Sequence, residues 1–462
     1  MKNLRFFKLW FLIAIKFIKR NYWWFIGLAI LIPVAIFVQV KFNLFYNPNT
    51  ISLGLIGTYQ EHDLPFQVTK LISEGLVKVM ENGHVKPNLV SGWEVNNDAT
   101  SFKFKIKPDL QWADGSPVRS QDLVFEIPNV DVSIPDEVTA QFSLKEAYSP
   151  FPSLLIKPIL KHGSMLGTGP YKITRIEKSR IFITKLKLKP LDSKLPIIYI
   201  RFYPNEKVAI TGFNLGEVQA LLGFSNSKAF SQNPKVAILQ KQDFSRMVSV
   251  LFNTKDTVLA SRSLRQALAF ISPQISGEDP ADSPYPHTLW AYNPDSKKYL
   301  SNPDEAKSAL ERAKSNLSDE ALKGEIILTA TPNLEEVGNL IIKEWKSLGL
   351  NAKLRIESGI PQNFQALLIT QSIPSDPDQY VLWHATQTKT NLTKYDSKRV
   401  DKDLEDGRKI ITEEERRAKY FDFQKTLLED APAVFLYFPK YNIAYLKKKE
   451  AVLNKILPLT SH

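Results

Sequence analysis

The chain of 462 residues is 44% apolar and 23% charged, with 29 prolines, 19 glycines and a net charge of +12 at pH 7. That composition supplies a sizeable core and about three domains, and it excludes collagen-like, low-complexity and disordered chains. No cysteine is present, so disulfides, thiolate metal sites, iron–sulfur clusters, cysteine nucleophiles and a lipid-modified N-terminal cysteine are excluded together, and any membrane tether must be polypeptide.

The first fifty residues hold Lys2, Arg5, Lys8, Lys16, Lys19, Arg20 and Lys41 and no acid. These cations account for more than half of the net charge, so the rest of the chain is only mildly basic and gives no ground for a nucleic-acid partner. From Tyr22 to Val40 run 19 uncharged residues, close to the roughly 20 that a helix needs to cross a bilayer. Most of the cations precede this span, which places the N-terminus in the cytoplasm and residues 42–462 outside. Residues 1–21 read as a cytoplasmic basic segment whose stretch FFKLWFLIAIKFIK lies on the inner leaflet. The stretch VQVKFNLFYN lacks a small-x-small cleavage site, so the anchor at 22–40 is expected to be retained.

Beyond the anchor, NTISLGLIG reads as a strand, LPFQVTKLISEGLVKVMENG as a helix and turn, and SFKFKI as an alternating strand. Asn302 before Pro303, with Asp304 and Glu305 behind it, caps a helix through Lys314. Further on, Glu325–Ala330 is a strand. The segment NLEEVGNLIIKEWKSLG then carries Val337, Leu340, Ile341, Trp345 and Leu348 at helical spacing, Gly349 stops it, and Asn351–Ile356 is a second strand. A strand, helix and strand so spaced predict a βαβ crossover and a partly parallel sheet. The pair Thr412 and Glu415 opens a last long helix as a capping box.

Signals for catalysis are missing. The histidines at 62, 84, 162, 287, 384 and 462 are scattered, with no paired zinc spacing, and no nucleophile elbow, Walker loop or dinucleotide fingerprint occurs. Gly167-Thr-Gly-Pro170 reads as a tight turn before a strand. No metal, cofactor or enzymatic activity is expected. Asp376 and Asp378 in SDPDQY form the one carboxylate pair of interest, and its plain reading is a loop capping the next element.

The order of segments carries more than any one of them. The block from ISEGL to QDLVF (72–125), GTGPYKI (167–173), VSVLFNTKDTVLASRSLRQALAF (248–270), HTLWAYNP (287–294), PDEAKSAL (303–310), DPDQYVLWHA (376–385) and LLEDAPAVFLYFPKYNIAYLKK (427–448) occur in that sequence. Together they resemble the family 5 extracellular solute-binding proteins, the dipeptide- and oligopeptide-binding components of ABC transporters, over nearly all of 50–450.

The resemblance implies an α/β, two-lobed periplasmic-binding-protein-like fold of class II, with a ligand enclosed as the lobes hinge shut. One crossing is expected near Ser249–Asn253 and the other near Tyr437–Tyr441. Lobe 1 then comprises 50–248 with 441–462 and includes a reduced subdomain at about 84–166, and lobe 2 comprises 249–440. It further implies a monomeric partner of permease subunits that captures small peptides.

Carried over residue by residue, the resemblance places Phe252 and Asn253 at the first crossing and Tyr437 and Phe438 at the second, where hinge packing is the plain alternative. Trp290 and Tyr292 fall in a loop near the cleft, and Trp383 in the segment after the DP pair. Peptide binders of this family carry an Asp three residues before the Asp of that pair, where it meets the ligand's α-ammonium group. Here the position is Ile373. An isoleucine cannot satisfy a desolvated ammonium, so either Asp376 or Asp378 does so or the ligand has no free amine. The stretch 120–167 is short, with strand and turn where a helical segment is normal, which implies a trimmed subdomain and a wider cleft rim. The leading function is therefore a membrane-anchored substrate-binding protein of an importer, with oligopeptide-like ligands ahead of nickel chelates or sugars. The alternative is a two-lobed sensor or interaction protein not coupled to transport.

Overall fold

The computed structural model describes residues 16, 20–24, 31–34, 49–125 and 127–457. The segment 1–21 and the span 22–40 lie mostly outside the described residues, among which no helix is long and apolar enough to cross a membrane. Residues 1–50 and 51–462 are separate units, and the layers that follow are built in the second.

A seven-stranded sheet forms the first lobe. Its order is Val236–Gln242, Lys440–Leu446, Ala220–Phe224, Thr50–Ile56, Ile197–Tyr203, Phe182–Pro190 and Tyr171–Ser179. Thr50–Ile56 runs parallel to Ala220–Phe224, with Leu53 opposite Ala220. Ile51, Leu53 and Leu55 alternate into the core, where Val68, Leu71 and Ile72 of the helix Phe66–Ile72 meet them. That helix is shorter than expected: Ser73 turns its hydroxyl to Ile159 O, and the β-branched Val77–Val79 pairs with Val85–Pro87 instead. Gly167–Pro170 makes the bend into Tyr171–Ser179, with the Gly169 N–H on Ile72 O at 3.0 Å.

Inserted in this lobe is a four-stranded antiparallel sheet in the order Val90–Val95, Ser101–Ile106, Thr139–Leu144 and Val130–Asp136. Phe102, Phe104 and Ile106 point inward while Lys103 and Lys105 face water, as the alternation in SFKFKI requires. Phe102 and Phe142 close on Phe151 with ring centroids 5.0 and 5.1 Å apart. The strand-and-turn character read for 126–144 is present as the hairpin of its last two strands.

The second lobe is a six-stranded sheet ordered Asp279–Pro280, Ala433–Phe438, Arg246–Phe252, Ala366–Ser372, Ile326–Ala330 and Ala352–Ile356. Its central strand is buried on both faces: Val248, Val250 and Phe252 enter one core cluster, Met247 and Leu251 the other, which is why it reads as an unbroken apolar run. The βαβ unit is present, with Ile326–Ala330 parallel to Ala352–Ile356 around the helix Glu335–Ser347. The helix differs from expectation in one respect. Leu340 is 46% exposed and Ile342 takes the inward place beside Ile341 and Trp345. Asn302 caps Pro303–Lys314 as expected, accepting from Asp304 N and Glu305 N. Thr412 instead donates its hydroxyl to the Glu415 carboxylate and accepts no cap hydrogen bond.

The chain passes between the two large sheets twice, from Gln242 to Arg246 and through Pro439. The second passage falls within Tyr437–Tyr441. The first precedes the expected Ser249–Asn253, because Ser249–Phe252 belongs to the central strand itself. The two passages are tied together, with Asp243 N–H on Pro439 O at 3.0 Å and the Gln242 side chain on Phe438 O. On another side, the segments flanking the inserted sheet touch the second lobe: Ser149 N–H donates to Arg408 O at 2.8 Å, Trp290 N–H donates to Asn82 O at 3.0 Å, and His84 meets Glu413 at 2.8 Å.

Candidate functional site

A cavity of about 320 Å³ opens where the passages meet both large sheets. Leu55, Ile56, Tyr59, Gln67, Leu222, Gly223 and Tyr441 line it from the first lobe, Asp243, Ser245 and Arg246 from the passage, and Ser372 from the second lobe.

Local backbone chemistry builds this wall. The first strand ends at Ile56, and Gly57 follows at φ +132°, its N–H on Tyr203 O at 2.7 Å. A Cβ there would lie 2.5 Å from the Tyr59 hydroxyl, which donates to Ile56 O at 3.0 Å; only glycine leaves room for that ring. Gly223, at φ +78°, lies at the bulge between Leu222 and Phe224 that turns the strand beside Tyr441.

The passage turn is held by its own side chains. Asp243 Oδ1 accepts from Ser245 N–H at 3.1 Å and from the Ser245 hydroxyl, and Oδ2 accepts from Arg246 Nε–H at 2.7 Å. The Asp243 side chain is 8% exposed and that of Arg246 43%. Burial raises the Tyr441 hydroxyl above its ordinary pKa, with Arg246 opposing the shift and Asp243 adding to it. Tyr59 is raised too, by burial and then by Asp63. These polar groups dominate the wall of an open cavity and can hydrogen-bond a small polar solute that enters it.

None of the sequence-predicted site residues lines this cavity. Phe252 is fully buried against Trp345 in the second lobe, ring centroids 6.3 Å apart, because the alternation of its strand sends it to the same face as Val248 and Val250. Asn253 holds a turn, donating to Phe364 O at 3.0 Å and accepting from Lys255 N–H at 3.2 Å. Tyr437 lies in the same core as Phe252, where burial pushes its hydroxyl up to about 12. Phe438 is buried edge-on to Phe244 at 5.2 Å. Trp383 donates Nε1–H to Gln379 Oε1 at 2.7 Å inside the other core. Tyr292 donates its hydroxyl to Asp282 at 3.0 Å. Ile373 is buried and sends its N–H to Ser245 O at 2.8 Å, so it touches the passage through its backbone.

The two carboxylates are already paired. Asp376 Oδ1 accepts from Arg416 Nη2 at 2.6 Å and from Asp378 N–H at 2.9 Å. Asp378 lies 3.3 Å from Arg408 and accepts from Tyr380 N–H at 3.1 Å; burial raises its pKa while Arg408 opposes. Asp376 and Trp290 do share a second, smaller cavity of about 210 Å³ with His84, Trp93, Glu413 and Arg416, where the inserted sheet touches the second lobe. Trp290 packs there beside Tyr420 at 6.0 Å and the Arg416 guanidinium at 5.4 Å.

The residues that sequence reasoning missed, Tyr59, Gln67, Asp243, Ser245, Arg246 and Ser372, carried one signal: DFSR is a polar turn between two apolar strands. Tyr441 stood inside the expected second crossing without being singled out.

Three comparisons bear on this geometry. The family profile "Bacterial extracellular solute-binding proteins, family 5 Middle" matches residues 84–391. The probable D,D-dipeptide-binding periplasmic protein DdpA of Escherichia coli K12 is 22% identical, over 81% of this chain and 83% of its own. Two solved structures share the fold: NikZ of Campylobacter jejuni in complex with Ni(L-His), with a TM-score of 0.67, 22% identity and coverage of 86% of this chain and 94% of its own, and the oligopeptide-binding protein AppA of Bacillus subtilis in complex with a nonapeptide, with a TM-score of 0.64, 19% identity and coverage of 86% and 94%.

Proposed function

As the chain belongs to the bacterial extracellular solute-binding proteins of family 5, we propose that it captures a small peptide or peptide-like solute between its two lobes and delivers it to the permease of an ABC importer. The observation that carries this is the cavity at the passages, whose wall is shared by both large sheets and by the turn that joins them. Rotation about residues 243–245 and Pro439 opens that wall and closes it again. In the closed state, water is excluded and each hydrogen bond to the solute counts for more.

The cavity lies at the small end of the roughly 300–1,000 Å³ typical of ligand sites, so the enclosed part of the solute is small, of dipeptide scale. A relative named for D,D-dipeptide binding is in keeping with that size, and one solved with a nonapeptide supports a peptide class more broadly. The uncharged span Tyr22–Val40 is proposed to tether residues 42–462 to the outer face of the membrane, keeping a monomeric binder at high effective concentration beside its permease.

Native mass spectrometry of the full chain, purified in detergent from its own host membranes, tests the proposal. A co-purifying mass that fragments as a peptide is expected. A chain that emerges empty and retains nothing from a short-peptide library would contradict it.

A further inference from the structure

The charged groups of the passage cavity are unequal in what they offer a solute. Asp243 is nearly enclosed, and its two oxygens are taken by the Ser245 N–H, the Ser245 hydroxyl and Arg246 Nε–H. Arg246 lines the cavity with 43% of its side chain exposed, and among the described residues no acceptor meets either of its Nη groups. A guanidinium has five N–H donors in a planar fork; Asp243 uses one and thereby fixes the orientation of the rest. The other polar lining groups, Tyr59, Gln67, Ser245, Ser372 and Tyr441, are neutral.

The surroundings carry charges of both signs, Asp63 acting on Tyr59 and a lysine standing beside Tyr441. Lys241 stands directly opposite Tyr441 in the sheet, so the two side chains share a face. Its charge reaches Lys70, whose pKa is lowered first by burial, with Glu74 opposing and Lys241 adding to the drop.

We infer that Arg246 is the anchor for a carboxylate on the captured solute, which its two open Nη groups clasp side by side at the turn joining the lobes. The inference rests on solute capture in this cavity and names the ligand class: an acid, and for a peptide its C-terminal end. A carboxylate matches the fork in two parallel hydrogen bonds. The clasp also couples binding to the hinge, because the anchor belongs to the first residue of the second lobe's central strand while Tyr59 and Tyr441 belong to the first lobe.

The test offers one short-peptide library to the detergent-solubilised full chain in three forms: free acid, carboxyl methyl ester and N-acetylated acid. Retention is read by native mass spectrometry, with glutarate as a non-peptide competitor. Free and N-acetylated acids are expected to be retained about 10- to 100-fold better than esters. Arg246→Ala and Arg246→Gln should lose that preference by a similar factor, and Arg246→Lys should keep part of it. Displacement by glutarate upholds the anchor and shows that it accepts a non-peptide acid as well; failure to displace shows that it takes a carboxylate at the end of a peptide. Equal retention of ester and acid by the unmodified chain overturns the anchor while leaving solute capture standing, and this comparison does not depend on any variant folding. Retention of none of the forms removes both.

Discussion

Asp376→Ala is expected to act on stability before it acts on binding. The pair it breaks is enclosed, with Asp376 9% and Arg416 10% exposed and 2.6 Å between them. Burial works against the Arg416 charge, and Asp376 together with Tyr420 more than offsets it. Without the carboxylate, the guanidinium's hydrogen bonds among the described residues go to neutral acceptors, Gly407 O and the Tyr420 hydroxyl, each at 3.0 Å, with the Asp378 charge acting on it without a hydrogen bond. Removing one partner of a buried pair costs about 3–5 kcal/mol, a large share of the ~5–15 kcal/mol that holds a protein folded. For a lobe of this size that corresponds to a melting temperature lower by about 10 °C. Calorimetry on the full chain reads the loss directly. The paired change Asp376→Ala with Arg416→Met removes both charges and should recover most of it. A single variant that loses less than about 1 kcal/mol, or a double variant no better than the single one, would refute the assignment of Asp376 to a structural ion pair.

Three further outcomes follow from buried or strained groups. Asp403 is 7% exposed, has an oxygen without a hydrogen-bond partner among the described residues, and burial with the nearby Asp422 charge pushes its pKa up to about 6. The folded state therefore holds a proton that the unfolded chain has released between about pH 4 and 6, so stability falls as pH rises through that window; Asp403→Asn should raise the melting temperature at pH 7.5 and give no gain near pH 4. Ser249 is fully buried in the central strand, its hydroxyl unpartnered among the described residues, so Ser249→Ala should unfold in urea within about 1 kcal/mol of the parent or later; a loss beyond about 2 kcal/mol would reveal a partner for that hydroxyl. Gly57→Ala, at φ +132° with a Cβ 2.5 Å from the Tyr59 hydroxyl, should cost about 1–3 kcal/mol and weaken peptide retention by displacing the Tyr59 ring; unchanged retention would remove Tyr59 from the binding wall.

Much of the scaffold was legible because it rests on local periodicity. SFKFKI could only be a half-buried strand, the βαβ unit announced itself through helical spacing between two short apolar runs, and Asn302 before Pro303 marked a helix start that forms as read. The candidate site was less legible because tertiary partners decide it. Phe252 looks like a cleft aromatic until the strand alternation places it against Trp345. Asp376 looks like a ligand group until Arg416, 40 residues later, claims it. The first passage was placed too far along the chain by the resemblance, and MVSVLF, buried on both faces, carries no alternation that marks where the strand begins. Its true signal was the charged turn before that run.

The proposed hinge motion can be followed where the segment after the inserted sheet touches the second lobe. The chain has no cysteine, so single cysteines at the exposed Glu146 and Lys409, flanking the Ser149 to Arg408 hydrogen bond, can carry a spin-label pair on the full-length protein. Pulsed electron resonance should give a broad, long distance distribution without solute and a short, narrow one when the free-acid peptide library is added. The same distribution in both conditions, at saturating peptide, would contradict capture between moving lobes.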